Sequence, residues 1–165
     1  MPYERSRTFT NTTGTVPEGT AMAGTVEGVT LGGRFYFRYT PNVAPPNAET
    51  LFDYINNFTQ QRFWIWVPTD YVLARVLSVD SDFLVEVDRD VSAVAAGSSA
   101  QYVFSDLKAA TFVNVGAAAG QINDASFSAG SSRDIDVSTK ENNQKFMDAF
   151  KLDATGTTIE ILEQS

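Results

Sequence analysis

Carboxylates are the side chains whose spacing comes closest to chemistry. Three Asp-x-Asp pairs occur, Asp80/Asp82, Asp88/Asp90 and Asp134/Asp136. A cluster of carboxylates helped by carbonyls suits calcium, which takes six to eight oxygen ligands. None of the three continues into the Asp-x-Asp/Asn-x-Asp/Asn-Gly loop that wraps that ion. Acids at turns and on the wet faces of strands account for all three without a ligand, and no metal or cofactor is expected. Glycoside hydrolysis needs two carboxylates, but also a cleft that holds them several ångströms apart around a distorted sugar. A core divided between two small β units leaves little material for such a cleft, so the chain is read as non-enzymatic.

The chain has 165 residues with no Cys and no His. Thiol nucleophiles, disulfides, His-containing triads and the common zinc sites are therefore absent from its repertoire. Gly116–Gly120 (Gly-Ala-Ala-Ala-Gly) and Gly130-Ser131-Ser132 lack the spacing of a phosphate-binding loop and read as hairpin turns.

Two groups of residues point to contact instead. Trp64 and Trp66 lie two apart, hence on one face of a strand. They form either an exposed platform, for a sugar or a protein partner, or the covered side of a strand buried on both faces. Arg5 and Arg7, with Phe9 beyond them, lie near the N-terminus in a Thr- and Gly-rich stretch. They are candidates for ion pairs with a neighbouring subunit or for plain solvation.

These residues need elements to place them. Residues 1–32 hold few large apolar side chains and read as an extended arm, held by the body of the protein or by another chain. Within it, 7–10 could pair as a strand. In 34–40, Phe35, Phe37 and Tyr39 alternate with Arg34, Tyr36, Arg38 and Thr40, the period of a half-buried strand. After the Pro41–Pro46 loop, Asn47 is a plausible cap for a short helix over 48–59, where Leu51, Phe52, Ile55 and Phe58 share a face.

Phe63-Trp64-Ile65-Trp66-Val67 is apolar on both faces. Strands at 72–79 and 83–88 follow, then a loop at 92–100 and a strand at 101–105. This regular spacing suits a small barrel or sandwich. Further on, 111–115, 121–127, 135–137 and 158–162 read as strands. Residues 141–152 are ambiguous, with Phe146, Ala149 and Phe150 on one helical face. The expected fold is mainly β. It consists of an arm (1–32), a barrel-like unit with one short helix (33–108) and a Gly/Ala-rich β unit (109–165).

The net charge is -8, from 12 Lys plus Arg and 20 Asp plus Glu. Residues 1–40 carry four Arg and three acids, leaving all the excess negative charge in the rest. Such a surface disfavours free nucleic acid, whose phosphates attract clustered cations. No apolar run suits a signal peptide or a membrane span.

The segments Arg75-Val76-Leu77-Ser78-Val79-Asp80, Phe83-Leu84-Val85-Glu86-Val87-Asp88 and Leu152-Asp153-Ala154-Thr155-Gly156-Thr157-Thr158-Ile159-Glu160-Ile161, behind a Thr/Gly-rich arm, resemble small virion structural proteins of tailed bacteriophages. Those are head decoration, neck and tail or baseplate components. The resemblance implies a copy on a symmetric particle, made in the host cytoplasm. It would contact other virion proteins and copies of itself through the arm and sheet edges, with Arg5, Arg7, Phe9, Trp64 and Trp66 as candidate interface residues. An arm of that kind orders on docking, against a cost of roughly 1–2 kcal/mol per residue. The alternative is a carbohydrate- or surface-binding β module that uses Trp64 and Trp66.

Overall fold

The computed structural model describes residues 4–42, 63–81, 83–136 and 147–165. Among the described residues the chain forms fourteen strands and one short 3-10 turn, Pro68–Asp70. The strands are β1 (Glu4–Thr10), β2 (Thr13–Val16), β3 (Thr20–Leu31), β4 (Arg34–Pro41), β5 (Phe63–Val67), β6 (Val72–Ser81) and β7 (Leu84–Val87). They continue with β8 (Ser98–Phe104), β9 (Ala109–Asn114), β10 (Gly120–Ile122), β11 (Ala125–Phe127), β12 (Ser132–Asp136), β13 (Phe150–Asp153) and β14 (Thr158–Gln164). The mainly β expectation holds.

The chain forms two compact units, and one is inserted in the other. Gly19–Phe104 is one unit; Met1–Glu18 and Ser105–Ser165 together make the second. This differs from the division expected from sequence. Residues 1–32 are not a separate arm, because β1 and β2 complete the sheets of the discontinuous unit and β3 opens the inserted one. Residues 109–165 do not stand alone, because β14 pairs with β1 and β13 with β2.

The discontinuous unit has two four-stranded sheets, in the orders β1-β14-β9-β12 and β11-β10-β13-β2. Counted within the unit, these orders are 1-8-3-6 and 5-4-7-2, the arrangement of a jelly roll. Alternation sets each inward face. Phe9 from β1, Phe112 from β9 and Ile159 and Ile161 from β14 share a buried cluster with Val16, Ile122, Phe127 and Leu152 of the other sheet. Phe150–Asp153, at the end of the stretch that is ambiguous from sequence, is a strand held between β2 and β10.

The Gly-rich segments are not hairpins. Gly116–Gly120 and Gly130-Ser131-Ser132 carry the chain from one sheet to the other, since β9 and β12 lie in one sheet and β10 and β11 in its partner. The tight hairpin is β10–β11, where Ile122 faces Ala125 and both Asn123 and Asp124 have positive φ. Positive φ at both central residues is the two-residue turn whose twist matches the strands.

The inserted unit closes as a six-stranded ring, β3-β4-β7-β6-β5-β8. The consecutive run β5-β6-β7 with β4 returning beside β7 is a Greek-key connection. Phe37, Tyr39, Phe63, Ile65, Val85 and Val87 fill its interior, with Phe35 and Phe83 at the margin. The strand phases expected for 34–40 and 83–88 are those observed. Val91 and Val94, from the link after β7, also enter this core. They reach it across Gly28, whose amide donates to the Val94 carbonyl at 3.0 Å and where any Cβ would run into the Val91 carbonyl. The expected helix 48–59, its Asn47 cap and Phe146 lie outside the described residues.

Candidate functional site

The N-terminal residues singled out from sequence come together inside the jelly roll. Arg5, Arg7 and Phe9 occupy the inward positions of β1, across from Glu163, Ile161 and Ile159 of β14. Glu163 is 1% exposed. An Arg5 and an Arg7 guanidinium nitrogen each approach one of its oxygens at 3.6 Å. Arg5 also donates to Asp106 at 3.2 Å, and Arg7 donates to the Thr15 carbonyl of the opposite sheet at 2.7 Å. The Arg7 guanidinium lies 4.8 Å from the centre of the Phe9 ring.

Burial pushes the Glu163 carboxyl above its ordinary value, against the pull of Arg7 and then Arg5, while Asp106 adds to the rise. This cluster ties β1 to both sheets. The residues expected to await a neighbouring subunit are thus engaged within their own chain. The physical reason is the buried Glu163 on the inward face of the last strand, which requires cations beside it.

The tryptophans are likewise not a platform. Every residue of Phe63–Val67 is buried. Trp64 and Trp66 are 4% and 2% exposed, on the face opposite the barrel core. Trp66 packs edge-on against Tyr71, with ring centres 5.6 Å apart. Among the described residues every Phe, Tyr and Trp is buried or half-buried. A sugar face built on stacked, open rings therefore has no such ring there.

Asp88, Asp90 and Asp134 serve the local backbone and their neighbours. Asp88 accepts from the Arg75 amide at 2.9 Å and from Arg89 Nε and Nη2 at 3.0 Å each. Partial burial works to raise its pKa, but Arg89 and the amide bonds hold it below the ordinary value. Asp90 accepts the Ser92 amide at 2.9 Å, and Asp134 accepts the Thr111 hydroxyl at 2.8 Å. Asp82 lies outside the described residues. Among the described residues no group of three His, Cys, Asp or Glu is placed to hold a metal.

Sequence reasoning missed a buried polar centre. Asn114 is fully buried, and its side-chain amide donates to the carbonyls of Ala118 and Phe127, both at 2.9 Å. Its oxygen accepts from the Gly116 amide at 3.1 Å and the Thr157 hydroxyl at 2.8 Å. All four capacities of the amide are used, so the group pins three loops and is spent on structure. Asn114 ending a strand just before a Gly-rich crossover was the available signal.

What remains for contact is surface. The face of the β1-β14-β9-β12 sheet turned away from the core carries a shallow depression of about 400 Å³, lined by Ser6, Arg7, Thr8, Thr111, Val113, Glu160, Ile161 and Leu162. A smaller one, of about 170 Å³, lies over Gln121, Ser126, Asp153 and Thr155. Neither brings two carboxylates, or a nucleophile and a base, to a common point.

No family model, curated protein or solved structure matches this chain. Among the described residues no helix is long and apolar enough to cross a membrane.

Proposed function

We propose that this chain is a non-enzymatic virion structural protein, working by assembly with copies of itself and with other proteins of a phage particle. The observation that carries the reading is the strand order 1-8-3-6 and 5-4-7-2. The jelly roll is an architecture recurrent in viral capsids and in lectins. The warrant is analogy of fold, and function resides in sites. What supports it at the sites is that, among the described residues, Arg5, Arg7, Glu163 and Asn114 are engaged in packing, and the depressions on the sheet faces are shallow. The inserted barrel adds a second compact unit.

The lectin reading shares the fold but loses its proposed anchors, since Trp64 and Trp66 are covered. The two are separated by native mass spectrometry of the purified chain together with a glycan array. Assembly predicts discrete multiples of one chain and no glycan signal. A strictly one-chain mass with saturable glycan binding is the opposite outcome and would overturn the proposal.

A further inference from the structure

Two exposed walls of this molecule complement one another in charge and relief. On the first, the outward positions of β1, β14, β9 and β12 carry Glu4, Glu160, Asp134 and Asp136, with no Lys or Arg among the described strand residues of that face. Between them lies the depression of about 400 Å³, with Val113 and Leu162 in its lining. On the second, β4 and β6 of the barrel turn Arg34, Arg38 and Arg75 outward, set among Glu27, Glu86 and Asp88. Arg34 and Arg38 have side chains 65% and 52% exposed. The acids beside them, Glu86 and Glu27, sit at 3.8 and 3.6 Å; the Arg38–Glu27 pair is exposed on both sides and exchanges at little cost, whereas the Glu86 side chain is 16% exposed. Leu31, directly across from Arg34, is 46% exposed, one of three large apolar side chains this open among the described residues.

We propose that the acidic outer face of the β1-β14-β9-β12 sheet of one copy docks on the arginine-bearing wall of the barrel of a second copy, with Leu31 entering the depression and Arg34 and Arg38 meeting the rim acids. Arg is enriched at protein contacts and Lys depleted. The two surfaces differ, so the contact is heterologous. Such contacts repeat from copy to copy and generate rings or filaments. A four-stranded face spans about 19 Å by about 20 Å, so each contact buries only about 400 Å² per side. Single contacts are therefore weak and salt-sensitive, and gain strength when many copies are held together.

The inference rests on the assembly reading, and its test separates the two. Glu160→Lys with Asp134→Lys reverses one wall; Arg34→Glu with Arg38→Glu reverses the other. All four positions are exposed on strands, and circular dichroism checks that each variant folds. Light scattering at low salt is expected to show wild type associating and each variant alone at least about tenfold weaker, from like charges opposed across the contact. Mixing the two variants should restore association, with the two kinds of chain alternating. Wild-type association that both reversals leave unchanged overturns this contact while sparing assembly. A wild type that stays single-chain at every concentration overturns both.

Discussion

Arg7 meets Glu163 on the neighbouring strand: its guanidinium stands 3.6 Å from a carboxylate that is 1% exposed, while donating to the Thr15 carbonyl of the facing sheet at 2.7 Å. One side chain thereby joins the first strand to the last and one sheet to the other. The N-terminal strand is held by this cluster and by Phe9 as an integral part of the unit.

Arg7→Ala should therefore cost more than Arg5→Ala. The Arg7 side chain is 21% exposed with a partly buried hydrogen bond, and that of Arg5 is 35% exposed. Urea unfolding is expected to show a loss of about 2–3 kcal/mol for Arg7→Ala and about 1 kcal/mol for Arg5→Ala. The double variant should depart from additivity, because both act on Glu163. Equal small losses would contradict the cluster.

Glu163 also sets a pH dependence of defined sign. Its pKa is raised in the folded protein by burial. The folded state then holds the proton more tightly than the unfolded chain, whose Glu titrates near about 4.3. The cost of ionising Glu163 is absent below that pH and grows as pH rises through the elevated folded value, where it levels off. In paired urea titrations, wild type should lose stability relative to Glu163→Gln over this interval as pH increases. Parallel profiles would remove the assignment.

Gly28→Ala should injure the barrel selectively. A Cβ there meets the Val91 carbonyl, so the link carrying Val91 and Val94 must leave the core. A loss of about 1–3 kcal/mol is expected. Hydrogen exchange should quicken across β3, β4 and β7, with β9 and β14 retaining protection. Uniform quickening would argue that the two units unfold as one.

Covered tryptophans have a direct optical signature. Acrylamide should quench Trp64 and Trp66 poorly in the native protein and strongly in urea, and Trp64→Ala should cost about 3–5 kcal/mol. Free quenching in the native state would restore the exposed platform.

How much of this was legible in the sequence depended on what filled the inward positions. Where they were large and apolar, as in Phe35, Phe37 and Tyr39 or Phe83, Val85 and Val87, the strand and its phase could be read directly. In β3 the inward positions run Met22, Gly24, Val26 and Gly28, so glycines conceal the alternation and a twelve-residue strand reads as an arm. In β1 the inward pair is Arg5 and Arg7, and cations face inward only because Glu163 awaits them about 160 residues later.

The division into units was hidden for a related reason. Sequence neighbours usually pack together, and an insertion between Glu18 and Ser105 breaks that rule. Arg5, Arg7, Phe9, Trp64 and Trp66 stand out in the sequence because each demands a partner surface. The partners of the first three lie in the same chain, and the indoles are covered.

The central claim, that this chain acts by surface contact between copies and neighbours, is tested most directly by its mass in solution. Sedimentation velocity should be run over a wide concentration range at low salt and again at about 0.5 M, where charge contacts are screened within a few ångströms. The account predicts species at integral multiples of 18.0 kDa that grow with concentration and shrink with salt. A single 18.0 kDa species under every condition would contradict it.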